Sequence, residues 1–154
     1  MTNYENAIGV MKELFGRDYQ FALSTAKNNI PSSRYVDTYF DGKSFYVVTH
    51  RLSKKAVEIA ENPNISLCCQ KMHAFNRQAK SIGHPLNPDN ADIRSALTKA
   101  FEPWFFKHNN EADENMRYVR IDPTAGFFHK DGIGYKIDFT KKAVKHFRLH
   151  STQC

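Results

Sequence analysis

Residues 33–63 read SRYVDTYFDGKSFYVVTHRLSKKAVEIAENP, and the order of patterns within them decides the fold. Residues 33–41 are rich in aromatic and β-branched side chains and read as a strand. Asp41-Gly42 is a strong hairpin signal, because both residue types tolerate the backbone of a tight turn. Residues 43–50 return as a second strand, and about 53–61 form a helix that stops before Asn62-Pro63. The helix start is unusual. Exposed backbone N–H groups give a helix N-terminus a partial positive charge that favours acids in the first turn. This helix opens with Lys54 and Lys55 and keeps Glu58 and Glu61 for its far end. Ser53 is a natural N-cap. With the hydroxyls of Thr49 and Ser53, the two ammonium groups and the helix N-terminus form a site suited to a phosphate dianion. Lys54 and Glu58 also stand at the spacing of an ordinary surface pair, so the residues alone leave both readings open.

Outward from this stretch, hairpins dominate. The apolar residues Ala7, Val10, Met11, Leu14 and Phe15 predict an amphipathic helix over about 3–16. A strand follows at 19–27, with a turn at Asn28-Asn29-Ile30-Pro31. Downstream, 64–72 and 75–86 read as a second hairpin. Asn90 is expected to cap a helix whose Ile93, Leu97, Ala100, Phe101 and Trp104 share a face, broken near Pro103. Residues 116–130 and 132–139 read as the last strands, and 140–154 as a charged tail. Strands do not alternate regularly with helices, so the expectation is a mainly β, antiparallel single domain over 1–154: a small barrel over about 18–139 with two or three flanking α-helices.

The chain has 154 residues, enough for one domain with a real core. No apolar run approaches the roughly 20 residues of a membrane span, and the N-terminus lacks the layout of a signal peptide. The formal charge is +6 and the pI about 9.2, but Lys and Arg are spread along the chain. No dense basic cluster interleaves with aromatics, so neither nucleic acid nor membrane is the expected partner. Cys68, Cys69 and Cys154 show no metal spacing and suit a reducing cytoplasm. The seven histidines form no HExxH motif, so no metal site is expected. GxxxxGK[ST] is absent, which removes support for P-loop nucleotide hydrolysis. Arg34 lies on the strand paired with the one that leads into the helix start, where its guanidinium could grip a phosphate bidentately. Gln78, in Arg77-Gln78, has donor and acceptors for a heterocycle edge.

The run from Arg34 through Val48-Thr49, Ser53-Lys54-Lys55 and Asn62-Pro63, with Arg77-Gln78 and Gly83 beyond, resembles the flavin-binding half of the pyridoxamine 5′-phosphate oxidase family. The likeness covers about 18–86 and weakens towards Phe139. It implies an antiparallel Greek-key split β-barrel that binds FMN at the interface of a homodimer. By that resemblance Lys54 and Lys55 hold the FMN phosphate, with Thr49 and Ser53 nearby, and Arg34 reaches the phosphate or ribityl chain. The backbone of Arg34, Tyr35, Val36, Asp37 and Thr38 runs along the isoalloxazine, and Val48 and Thr49 continue that wall. Gln78, from the same or the partner subunit, bonds the ring or ribityl. No catalytic acid or base is implied.

Departures narrow the activity. The oxidase branch carries Lys where this chain has Tyr39 and Tyr where it has Val48. The triplet Arg148-Leu149-His150 mimics one in the oxidase but follows the closing strand instead of preceding it. Oxidation of pyridoxamine phosphate is therefore not expected. The expected function is an FMN-dependent oxidoreductase passing electrons from a reduced donor, such as NAD(P)H, to a small-molecule acceptor. The alternative is a non-catalytic flavin- or haem-binding module of the same fold.

Overall fold

The computed structural model describes residues 1–76 and 78–149. Helix α1 (Asn3–Phe15) begins at a reciprocal cap, in which Glu5 N donates to Thr2 Oγ1 and Thr2 N donates to the Glu5 carboxylate. Its Ala7, Met11, Leu14 and Phe15 are buried, the face that their spacing predicts. Strands β1 (Tyr19–Lys27) and β2 (Ile30–Phe40) form a long hairpin through Asn28 and Asn29, both at positive φ. β3 (Phe45–His50) follows the Asp41-Gly42 turn, where Asp41 Oδ1 accepts from Lys43 N and Ser44 N. Gly42 adopts φ +104°, which a side chain would strain.

Helix α2 (Lys54–Glu61) carries the chain across to β4 (Ile65–Cys69) and β5 (Met72–Asn76). Then come β6 (Lys80–Ser81), a 3₁₀ turn at Pro88–Asn90, α3 (Ala91–Ala100) and α4 (Phe105–His108). β7 (Met116–Ile121), β8 (Ala125–Lys130), β9 (Ile133–Asp138) and β10 (Ala143–Arg148) complete the described chain. The sheet order is β10-β9-β8-β5-β4-β1-β2-β3-β7-β6, and every pairing is antiparallel.

The sheet curls and then splits. β2 pairs with β1 from Tyr19↔Thr38 to Lys27↔Ile30, but with β3 only at Tyr39↔Tyr46 and Phe40↔Phe45. β3 instead pairs with β7 along its whole length, Phe45↔Ile121 to His50↔Met116. The result is a split half-barrel, mainly β, with helices on its flanks. Inside, α1 packs with Phe21, Phe40, Phe45, Leu67 and Phe128. Outside, Leu97, Phe101 and Phe105 cover Tyr46, Met116 and Tyr118, so β3 and β7 are buried on both faces. Ile93, Ala100 and Trp104 join this second cluster, and Pro103 lies in the turn between α3 and α4.

Four expectations need correction. The second hairpin turns at Gln70-Lys71, because Leu67↔Ala74 and Cys69↔Met72 set the register; β5 therefore begins at Met72. Residues 116–130 are two strands, since the Asp122-Pro123-Thr124 break ends β7, which pairs with β3, before β8, which pairs with β5. Asn90 makes no side-chain cap; almost fully buried, it donates to Ile82 O and His84 O instead, and Asn87 caps the preceding turn. The stretch read as a charged tail contains β10, a mostly exposed strand with no apolar alternation to announce it. It is held to β9 by the ladder and by Phe147, whose ring covers Gly134 closely enough that an added Cβ would fall 2.6 Å away. Arg148 ends that strand, and His150 and Cys154 lie outside the described residues.

Two substitutions test this packing by urea denaturation. Phe21→Ala empties a fully buried ring site between Phe15 and Phe45 and is expected to cost about 3–5 kcal/mol. The Tyr118 hydroxyl is buried without a hydrogen-bond partner among the described residues. Tyr118→Phe is therefore expected to leave the unfolding midpoint unchanged or raised.

Candidate functional site

The start of α2 is fixed by the chain that leads into it. Ser53 N donates to His50 O at 3.0 Å, Leu52 N to His50 Nδ1 at 3.2 Å, and Arg51 N to Asn115 O at 2.8 Å. Ser53 Oγ accepts from Ala56 N at 3.3 Å and lies 3.0 Å from Thr49 Oγ1. The helical ladder starts with Val57 N to Ser53 O, so the N–H groups of Lys54 and Lys55 precede it. The first turn holds no acid and the last no base, as the sequence indicates.

Three cations converge near this start. Arg34, half-buried on β2, donates from Nη1 to Thr25 Oγ1 at 2.8 Å and to Leu23 O at 3.2 Å. Thr25, almost fully buried on β1, donates in turn to Glu58 Oε2. Glu58 is only 4% exposed, and Lys54 Nζ stands 3.9 Å from its other oxygen. The Lys54–Glu58 pair is thus real, but its acid is a buried anchor and not a solvated partner. Lys55 is half-buried, and burial first, then the charge of Arg34, lowers its pKa. Lys54 pairs with Glu58, Arg34 reaches it only through Thr25, and Lys55 lies near Arg34, so these three cations and one carboxylate leave two positive charges in excess. A phosphate dianion matches that excess, and its charge would reverse the penalty on Lys55.

The remaining expected residues line the split in two ways. Val36 and Thr38 point into the barrel, and Thr38 Oγ1 donates to Tyr19 O at 2.9 Å. Tyr35 and Asp37 point outward, with Tyr35 75% exposed. Because β3 leaves after Tyr39↔Tyr46, the backbone edge of residues 34–38 has no strand partner on that side among the described residues. Such an edge offers N–H donors and C=O acceptors at regular spacing to a flat polar molecule. Val48 packs with the outer cluster, and Thr49 is buried one residue on. Gln78 lies in the connection between β5 and β6 and not in a strand, and Arg77 lies outside the described residues.

Sequence reasoning missed Thr25 and Glu58 as parts of this site. Thr25 is 33 residues from Glu58, so no local spacing signals the bond. It also missed a carboxyl pair on the outer face of β2. Burial, and then the neighbouring Asp18 carboxylate, raise the pKa of Asp37, while Trp104 Nε1 donates to Asp18 Oδ2 at 2.6 Å. Among the described residues no group of three or more His, Cys, Asp or Glu could hold a metal ion.

Comparison with known proteins agrees with this fold. The family model described as "Pyridoxamine 5'-phosphate oxidase" matches residues 9–130. General stress protein 26 of Bacillus subtilis is 26% identical over 105 residues, covering 66% of this chain and 73% of that protein. The crystal structure of General Stress Protein 26 from Bacillus anthracis superposes with a TM-score of 0.62 at 19% identity, over 96% of this chain and 100% of that one. A heme binding protein from Mycobacterium smegmatis shares the fold at a TM-score of 0.64 and 11% identity, over 92% of this chain and 60% of that one.

The Asp18–Asp37 pair yields a signed pH prediction. A carboxyl whose folded pKa is raised contributes stability at low pH that is lost as pH rises through that pKa. Asp37→Asn keeps a neutral group in place, so its melting temperature should exceed the parent's at pH 7–8. The advantage should vanish near pH 4, where an ordinary Asp takes up its proton. Thermal melts across that range check both ends.

Proposed function

The chain belongs to the pyridoxamine 5′-phosphate oxidase family, and on that premise we propose that it is an FMN-dependent oxidoreductase acting as a homodimer in the cytoplasm. The observation that carries this reading is the pair of excess positive charges beside the open split, where Arg34, Lys54 and Lys55 outnumber Glu58. Lys55 and Arg34 would hold the FMN phosphate most firmly, with Lys54 more peripheral because its side chain is 71% exposed. The hydroxyls of Thr49 and Ser53 and the first N–H groups of α2 would complete the phosphate contacts. The unpartnered backbone of residues 34–38, with Val48 and Thr49, would orient the ring, and Gln78 would bond the ring or ribityl.

Bound flavin would supply the redox chemistry, taking up electrons from a reduced nicotinamide and releasing them to a small acceptor. The protein's part is binding, orientation and exclusion of water. Tyr39 stands where the resemblance to the oxidase branch calls for Lys, and it packs with the outer aromatic cluster. It brings no cation to a substrate phosphate, so pyridoxamine phosphate is not the proposed substrate. No helix among the described residues is long and apolar enough to cross a membrane.

An absorption spectrum of the purified protein, before and after loading with FMN and removal of the excess, tests the cofactor. Retained flavin bands that bleach with NADH or NADPH and return with an acceptor support the full reading. Retained bands inert to donors reduce it to a flavin-binding module. A Soret band in place of flavin bands replaces it with haem binding, the role named for the Mycobacterium smegmatis neighbour. Lys54→Ala/Lys55→Ala should weaken FMN at least about 100-fold, the scale of two lost charge-assisted bonds, with Lys55→Ala the larger single effect. Affinity should also fall as pH rises through the lowered Lys55 pKa, because phosphate favours the ammonium form. It should fall again below about pH 6, where a phosphate monoester gains a proton. Unchanged FMN affinity in the double variant removes the phosphate assignment.

A further inference from the structure

The opposite side of α2 holds a cavity that the flavin reading leaves unassigned. It encloses about 310 Å³, within the range of small-molecule sites. Ala56, Ile59 and Ala60 of α2 form one wall, and Ala79 and Val119 of the β6–β7 side form the other. The walls stand apart for a local reason. α2 is tied at its C-terminal end by Asn62 Nδ2 donating to Ala26 O and by Ala79 N donating to Pro63 O. Its face towards β7 presents two alanines where longer side chains would fill the gap. Ile59 and Val119, both nearly inaccessible to water, make the floor apolar.

The rim has the opposite character. Arg51, Lys80 and Arg117 line the same cavity, and among the described residues none of them has a carboxylate within 4 Å. Arg51 Nε donates to the neutral Asn115 side chain, and Arg117 Nη1 donates to the carbonyls of Glu114 and Met116 at 2.7 Å each. Those bonds orient the guanidinium groups without cancelling their charge. Arg117 is opposite Thr49 in the β3–β7 ladder, so the rim is anchored to the same strand that carries the chain into α2.

We propose that this cavity binds a small amphipathic anion, with a flat or branched apolar body between α2 and β7 and a carboxylate at the rim. A neutral apolar molecule would fill the walls but leave three cations unanswered. An inorganic anion or nucleotide phosphate would meet the cations but not the apolar floor. The pairing of the two features selects molecules that carry both. The site is separate from the α2 start, since Arg34, Lys54, Lys55 and Glu58 do not line it.

The test uses 2-naphthoate and its neutral amide, 2-naphthamide, as probes, titrated calorimetrically into the full-length protein as purified. One naphthoate per chain should bind, with naphthamide at least about tenfold weaker, the scale of one charge-assisted bond. Lys80→Gln, on an exposed residue, should lose about tenfold for naphthoate and nothing for naphthamide. Ala60→Leu should weaken both probes by filling the wall. The flavin content of each variant, and naphthoate binding by Lys54→Ala/Lys55→Ala, should stay at parent values; this separates the site from the proposed flavin site. Equal affinity for the two probes overturns the proposal. So does naphthoate binding that Lys80→Gln leaves unchanged or that Lys54→Ala/Lys55→Ala abolishes.

Discussion

β2 hydrogen-bonds to β1 over residues 30–38 and to β3 over two residue pairs, and the rest of the molecule is arranged around that inequality. β3 is drawn away because both its faces are buried. Phe45 and Val47 point into the inner core, while Tyr46 and Val48 lie beneath α3 and α4. A strand buried on both faces follows the partner that completes both layers, and here that partner is β7. The parting leaves a length of β2 edge unpaired, normally a liability that a fold must cover or use. It also places the end of β3, and so the first turn of α2, beside that edge.

The electrostatics of α2 follow from its position. A helix with lysines first and glutamates later opposes its own dipole, and in isolation that arrangement is mildly destabilising. The fold makes it tenable by burying Glu58 where Thr25, itself bonded by Arg34, donates its hydroxyl to the carboxylate and Lys54 stands 3.9 Å away. A buried carboxylate without such partners would be strongly unfavourable. The same burial withdraws solvent from Lys55 and brings Arg34 close, so the lysine sits at a lowered pKa. Local rules of helix design are broken here, and such violations concentrate where a site is being built.

α2 divides the surface into two chemistries. On the side of β1 and β2 its charges and free N–H groups form a polar cradle; on the side of β6 and β7 its alanines leave an apolar cavity under a basic rim. A helix of eight residues can serve both because its faces repeat every three to four residues.

Much of this was legible in the chain. The hairpins at Asn28-Asn29 and Asp41-Gly42, the buried stripe of α1 and the cluster of Leu97, Phe101 and Trp104 all follow from short-range rules: turn dihedrals and periodicity. Ser53-Lys54-Lys55 was legible for the same reason, since a helix cap and its first turn are contiguous. The register of β5, the existence of β10 and the buried role of Asn90 were not, because each depends on partners distant in sequence. The partnership of Thr25, Arg34 and Glu58, the Asp18–Asp37–Trp104 contact and the cavity beside Arg117 were likewise decided only in three dimensions. Propensity and spacing act over a few residues, whereas burial, charge proximity and the gap between two walls arise only when strands far apart in sequence are brought side by side.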